Sequence, residues 1–161
     1  MNRALILACA NPLRGDDGVA LQIARSLSAG FCEPETQIYS QQQWTPELAE
    51  PISEAEIVIF VDASVALPPG KVAIRPVQPV REAHSGSTHF SSPEGLLAFA
   101  QELYGSAPKR AFLVTVGGQS FEYSKQLSKP VRRAVPLALN YIKALLSGVS
   151  LPTALTRTAR P

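Results

Sequence analysis

The chain has 161 residues, 45% of them hydrophobic and 17% charged, which is enough apolar surface for one self-sufficient domain without disulfide staples. Its 15 Lys and Arg against 13 Asp and Glu leave a net charge of +2, which Arg157 and Arg160 in the tail already match, so no basic face for nucleic acid is implied. Cys9 and Cys32 lack a histidine-rich ligand set and read as reduced thiols, and the amino terminus shows neither a signal peptide nor a membrane-spanning run; the expectation is a cytoplasmic protein with no membrane partner.

Residues 4 to 9 form a short apolar run that suits a strand buried on both faces, and Asn11-Pro12 breaks it because Pro12 cannot donate to a ladder. Val19, Ala20, Ile23, Ala24 and Leu27 then follow a helical period, with Asp17 placed as N-cap or first-turn residue. Thr36 to Ser40 reads as a second strand, followed by the polar loop Gln41-Gln42-Gln43-Trp44. Thr45-Pro46 opens a helix that Pro51 should cut short. The run from Glu56 to Val61 is the clearest strand and ends at Asp62. Pro68-Pro69-Gly70 is a turn, and Lys71 to Arg75, bounded by prolines, reads as an edge strand.

Residues 76 to 92 lack periodicity and contain both histidines, His84 and His89. Ser92-Pro93-Glu94 opens a helix with Leu96, Phe99, Ala100 and Leu103 on one face. Ala111 to Val116 is the last strand, ended by Gly117-Gly118. Ser128 caps a final helix that presents Val131, Val135, Ala138, Leu139, Ile142, Leu145 and Leu146, with Pro136 expected to kink it and Gly148 to stop it. Residues 1–148 are therefore expected to make a single domain, and 149–161 a tail without a packing pattern.

Strands alternating with helices predict a three-layer α/β/α sandwich around a mainly parallel, twisted sheet of about five strands. If the first three strands take the order 2-1-3, the ends of the first and third lie side by side at a topological switch point, where open α/β sheets bind ligands. Asp17 and Asp62 then face one crevice, and a loop at the same edge can bring His89 in. Two carboxylates and an imidazole make a reasonable ligand set for a divalent transition metal. Singly, each has a plainer role: Asp17 as a helix cap, Asp62 in a turn, His89 as an exposed loop residue. The loop lacks the glycines of a dinucleotide fingerprint and the Gly-Lys-Ser/Thr of a phosphate loop, and Asp16-Asp17 would repel phosphate. No nucleophile elbow surrounds Ser64, Ser85 or Ser87.

At these residues the chain resembles the hydrogenase maturation endopeptidases, which remove a C-terminal extension from the large subunit of nickel-containing hydrogenases. Asn11-Pro-Leu-Arg-Gly-Asp-Asp-Gly18 is similar to the family's first motif and Phe60-Val-Asp-Ala63 to its second. Thr88-His89 with Ser92-Pro-Glu94 and Leu96-Leu97 is similar to the third, and Gly117 to Phe121 with Leu127, Ser128 and Val131 to the last.

The resemblance implies that Asp17, Asp62 and His89 contact a metal. It also implies that nickel arrives with the substrate, held by cysteines of the hydrogenase precursor, and that no organic cofactor is used. The metal then polarises the scissile carbonyl or activates water, or else Asp17 and Asp62 act as an acid/base pair on water. Where several members carry a glycine-containing turn after the second strand, this chain has Gln41-Gln42-Gln43-Trp44-Thr45. Amide groups and one broad ring suit gripping an extended peptide, so Gln41, Gln42, Gln43 and Trp44 are candidate substrate-binding residues. A non-catalytic metal- or partner-binding protein on the same scaffold is the alternative, and a small-molecule hydrolase or nucleotide-binding domain ranks below both.

Overall fold

A computed structural model describes residues 4–31, 34–80 and 92–152. The apolar run at the amino terminus is strand β1, Ala4–Cys9, which leads through a 3₁₀ turn at Gly15–Gly18 into helix α1, Val19–Gly30. Strand β2 is Thr36–Gln41, and helix α2, Ala49–Glu54, follows a 3₁₀ turn at Pro46–Leu48. Pro51 does not break α2, because it lies in the first turn, where its missing N–H has no partner to lose. Strand β3 is Ile57–Ser64 and β4 is Val72–Pro76, followed by helix α3, Pro93–Tyr104, strand β5, Arg110–Gly117, and helix α4, Lys129–Leu146.

The five strands form one sheet in the order β2-β1-β3-β5-β4. All pairs are parallel except β4 with β5, so the proline-bounded segment is indeed an edge strand, added antiparallel. The expected 2-1-3 order is present, with its switch point between β1 and β3.

Alternation along the strands sorts the apolar residues into two cores. Ala4, Ile6 and Ala8 of β1 and Ile57, Ile59 and Val61 of β3 pack with α1 and α4. Leu5 and Leu7 with Val58 and Phe60 pack with α2 and α3 on the other face. Because both faces are covered, the central strands read as continuous apolar runs.

Two helices differ in detail from the sequence expectation. On α3 the buried residues are Pro93, Gly95, Leu96, Leu97 and Ala100, while Leu103 is 54% exposed, because the helix turns its Leu97 side to the sheet. On α4 the helix is continuous through Pro136, which lies on its exposed side. Its buried stripe includes Ala134, and Leu139 and Leu146 are only partly covered. Beyond α4, Leu151 packs against the first core, so the segment after residue 148 is not free of packing over its described part; 153–161 lie outside the described residues.

Candidate active site

Asp17 follows β1, Asp62 lies near the end of β3 and the polar loop from Gln41 to Trp44 runs on from β2, all at the carboxyl edge of the sheet. Asp62 does not end its strand as expected. Strand β3 runs two residues further to Ser64, pairing Asp62 with Thr115 of β5, while the β1 ladder stops at Ala8 opposite Val61. Asp62 is thus inside a rigid strand, held on one flank and open towards the end of β1 on the other. By alternation it follows Val58 and Phe60 onto the face covered by α2 and α3, as Cys9 follows Leu5 and Leu7.

Asp17 is not the cap of α1. Gly18 takes the N-cap position with no side-chain hydrogen bond, and Asp17 belongs to the preceding 3₁₀ turn. Its Oδ2 instead accepts from the backbone N–H of Asn11 at 2.8 Å, folding the carboxylate back over the end of β1. Asp62 Oδ1 accepts from the N–H of Ala63 at 2.8 Å. Among the described residues nothing donates to the second oxygen of either carboxylate, so each offers one oxygen to a ligand.

Asp17, Asp62 and Cys9 act on one another electrostatically at the ends of β1 and β3. Burial, and then the charge of Asp17, push the Asp62 carboxyl up to about 6 against the pull of the Ala63 N–H. Burial and the charges of Asp62 and Asp17 push the Cys9 thiol up to about 12, which favours its protonated form, and its Sγ–H donates to the carbonyl of Gln42 at 3.5 Å.

Gln41 Oε1 accepts from the Thr45 hydroxyl at 3.0 Å, which closes the polar loop on itself, and Gln42 and Gln43 are exposed. Trp44 is half-buried, its ring meeting that of Phe60 edge to face at 5.4 Å. Part of the ring is therefore core, one row below Asp62. His84 and His89 lie outside the described residues, as does Cys32. Among the described residues no three His, Cys, Asp or Glu side chains gather at metal-binding spacing. As donor chemistry, Asp17 and Asp62 fit a divalent cation as two monodentate oxygen ligands of a larger set.

Asp16 is the residue that sequence reasoning undervalued. It is 1% exposed, and its carboxylate accepts from the N–H groups of Gln119 (2.7 Å), Ser120 (3.0 Å) and Ser128 (2.6 Å) and from the Ser128 hydroxyl (2.8 Å). Burial alone would raise its pKa, but these donors, Ser128 first, outweigh it and hold the carboxyl below its ordinary value. Ser128 stands at the N-cap of α4 as expected, yet it makes no capping bond, since its hydroxyl goes to Asp16. Only the doublet Asp16-Asp17 hinted at two distinct roles, and nothing local says which carboxylate turns inward.

A cavity of about 300 Å³ opens at the opposite, amino-terminal edge, lined among others by Ala4, Ile57 and Arg110.

Residues 42–145 match the sequence profile of the hydrogenase maturation protease family, nearly two thirds of the chain and the whole region from the polar loop to the end of α4. The chain belongs to that family. Its members are peptidases, and the fold agrees. The hydrogenase maturating endopeptidase HybD from E. coli superposes with a TM-score of 0.75 at 24% identity, over 91% of this chain and 93% of that one. A hydrogenase 2 maturation peptidase from a Thaumarchaeota archaeon gives 0.68 at 23% identity, covering 92% and 100%. The [NiFe] hydrogenase maturation protease HycI from Thermococcus kodakarensis gives 0.68 at 20%, covering 91% and 93%. No curated protein sequence matches the chain. Among the described residues no helix is long and apolar enough to cross a membrane.

Proposed function

We propose that this chain is a nickel-dependent endopeptidase of the cytoplasm that removes the C-terminal extension of a hydrogenase large-subunit precursor. The observation that carries the reading is the pair Asp17 and Asp62. They flank the β1/β3 switch point, they are coupled electrostatically, and each keeps one oxygen clear of the described donors. Paired carboxylates with one pKa raised are one arrangement that hydrolyses an unactivated amide through general acid and base catalysis on water.

In this reading nickel enters as part of the substrate, in the precursor's cysteine site, and supplies Lewis acidity beside the scissile bond. Asp17 and Asp62 contact it through their open oxygens, and His89 is the third contact. In the alternative course, where the carboxylates and not the metal act on water, Asp62, whose carboxyl burial pushes up to about 6, takes the proton of the attacking water and returns it to the leaving amine, with Asp17 as its partner. Gln42 and Gln43, exposed beside Cys9, grip the precursor's extended C-terminal segment, and the outer face of Trp44 gives it an apolar wall.

The test is incubation of the protein with the nickel-loaded precursor, followed by mass spectrometry of the precursor's C-terminus. Shortening supports the reading, and an unprocessed precursor that nevertheless binds would replace it with a non-catalytic partner-binding role.

A further inference from the structure

We infer that Asp16 is a positioning residue, a buried clasp that sets the carboxylate of Asp17 against that of Asp62. Three segments meet at it. The acidic loop comes in through Asp16 itself, whose N–H donates to the Ser120 carbonyl at 2.9 Å, and through Gly15, whose N–H donates to the Ser124 carbonyl at 2.8 Å. The segment after β5 returns the contact: the N–H of Ser124 donates to the Leu13 carbonyl at 3.0 Å, and Gln119, Ser120 and Ser128 donate to the Asp16 carboxylate. The third segment is the end of β3, where the Ser64 carbonyl, two residues past Asp62, accepts from the N–H of Gly118 at 2.9 Å. Asp17 and Asp62 are thereby tied to one another through Asp16 and the 118–128 segment as well as through the sheet.

Two glycines confirm how tight the clasp is. Gly15 has φ +55°, and a Cβ there would lie 2.7 Å from the Ser120 carbonyl oxygen; at Gly118 it would lie 2.3 Å from the Phe121 ring and 3.2 Å from Asp16 Cβ. With four hydrogen bonds filled, the Asp16 carboxylate has nothing left for substrate. Its contribution to the reaction must pass through its neighbour. Hydrogen-bonded supports of this kind hold reactive groups to the tolerance that catalysis needs.

The test compares wild type, Asp16→Asn and Ser128→Ala in two arms. Amide hydrogen exchange needs no substrate, and the Asn11 N–H reports on Asp17 because it donates to that carboxylate. In Asp16→Asn, the amides of Gln119, Ser120, Ser128 and Asn11 should exchange at least tenfold faster while those of β1 and β3 keep their wild-type rates. In the cleavage arm, which rests on the endopeptidase reading, kcat should fall at least tenfold with KM within about twofold. Ser128→Ala, which removes one hydroxyl only, should shift both readouts the same way by a smaller factor, and Ser128→Thr should restore them. An unchanged Asn11 amide in a folded Asp16→Asn or Ser128→Ala protein would overturn the inference, as would acceleration spread evenly over the sheet. If Asn11 responds while wild type cleaves nothing, the clasp stands and the endopeptidase reading falls.

Discussion

Two neighbouring parts of the carboxyl edge are built on opposite terms. Around Asp16, four donors from distant segments fix a carboxylate that is 1% exposed; around Asp17 and Asp62, each carboxylate is half bound and half offered. The same chemical group thus serves as scaffold in one place and as reagent in the other. What separates them is how many fixed donors surround each one: four hold Asp16 ionised below its ordinary pKa, while one is too few to prevent burial from raising Asp62.

The largest expected effects come from the half-bound side. Asp17→Ala, Asp62→Ala and His89→Gln should each reduce kcat/KM for precursor cleavage by on the order of a thousandfold or more while melting within a few degrees of wild type. His84→Gln should stay within a few-fold. A silent His89 change paired with a damaging His84 change would reverse the roles given to the two histidines.

Asp16→Ala should do the converse to stability. Four donors lose their acceptor at a site 1% exposed, and leaving such groups unpaired costs about 3 kcal/mol, readable as a lowered urea midpoint. If Asp17→Ala unfolded the protein more readily than Asp16→Ala, the division between scaffold and reagent would be wrong.

The two kinds of carboxylate should also carry opposite pH signatures in the metal-free protein. The folded pKa of Asp16 is depressed, so its contribution is present above the ordinary value of 3.8 and is lost as pH falls through the lower folded value. Asp62 is raised to about 6, so its contribution is present below 3.8 and is lost as pH rises through about 6. Asp62→Asn should therefore stabilise the protein at pH 8 by at most about 3 kcal/mol, with the gain gone below pH 4. Chemical denaturation across pH 4 to 8 measures this; a gain independent of pH would remove the carboxylate's charge as the cause.

The polar loop sharpens the comparison at smaller scale. Trp44→Ala should cost about 2 kcal/mol, because part of the ring packs edge-on to Phe60. Replacing Gln41, Gln42 and Gln43 together by alanine should move stability by less than about 0.5 kcal/mol, yet slow precursor cleavage several-fold without weakening nickel binding. Unchanged cleavage by the folded triple variant would leave these glutamines as solvated loop residues.

Much of this architecture is written locally. The apolar run at Ala4–Cys9, the β-branched run at Ile57–Val61 and the Ser92-Pro93 start of α3 are each dictated by a few consecutive side chains, and even the edge position of β4 follows from its flanking prolines. The side chain of Ser92 does cap α3, accepting from Gly95 N–H at 3.1 Å, because nothing else claims it. Ser128 and Asp17 look just as much like caps in sequence, and both are drawn away, one by Asp16 and the other by Asn11.

The sequence by itself determined the strand-helix alternation and carried the family motifs, because period and turn chemistry are local properties; the 2-1-3 order, on which a common edge for Asp17 and Asp62 depends, stood in it only as a condition that the sheet then met. Only the tertiary structure decided which member of the Asp16-Asp17 doublet is buried, that Asp62 continues inside a strand, and that Trp44 belongs partly to the core. Those outcomes depend on donors and rings from segments up to 112 residues away, such as Ser128 for Asp16, and no local pattern records which distant group will arrive.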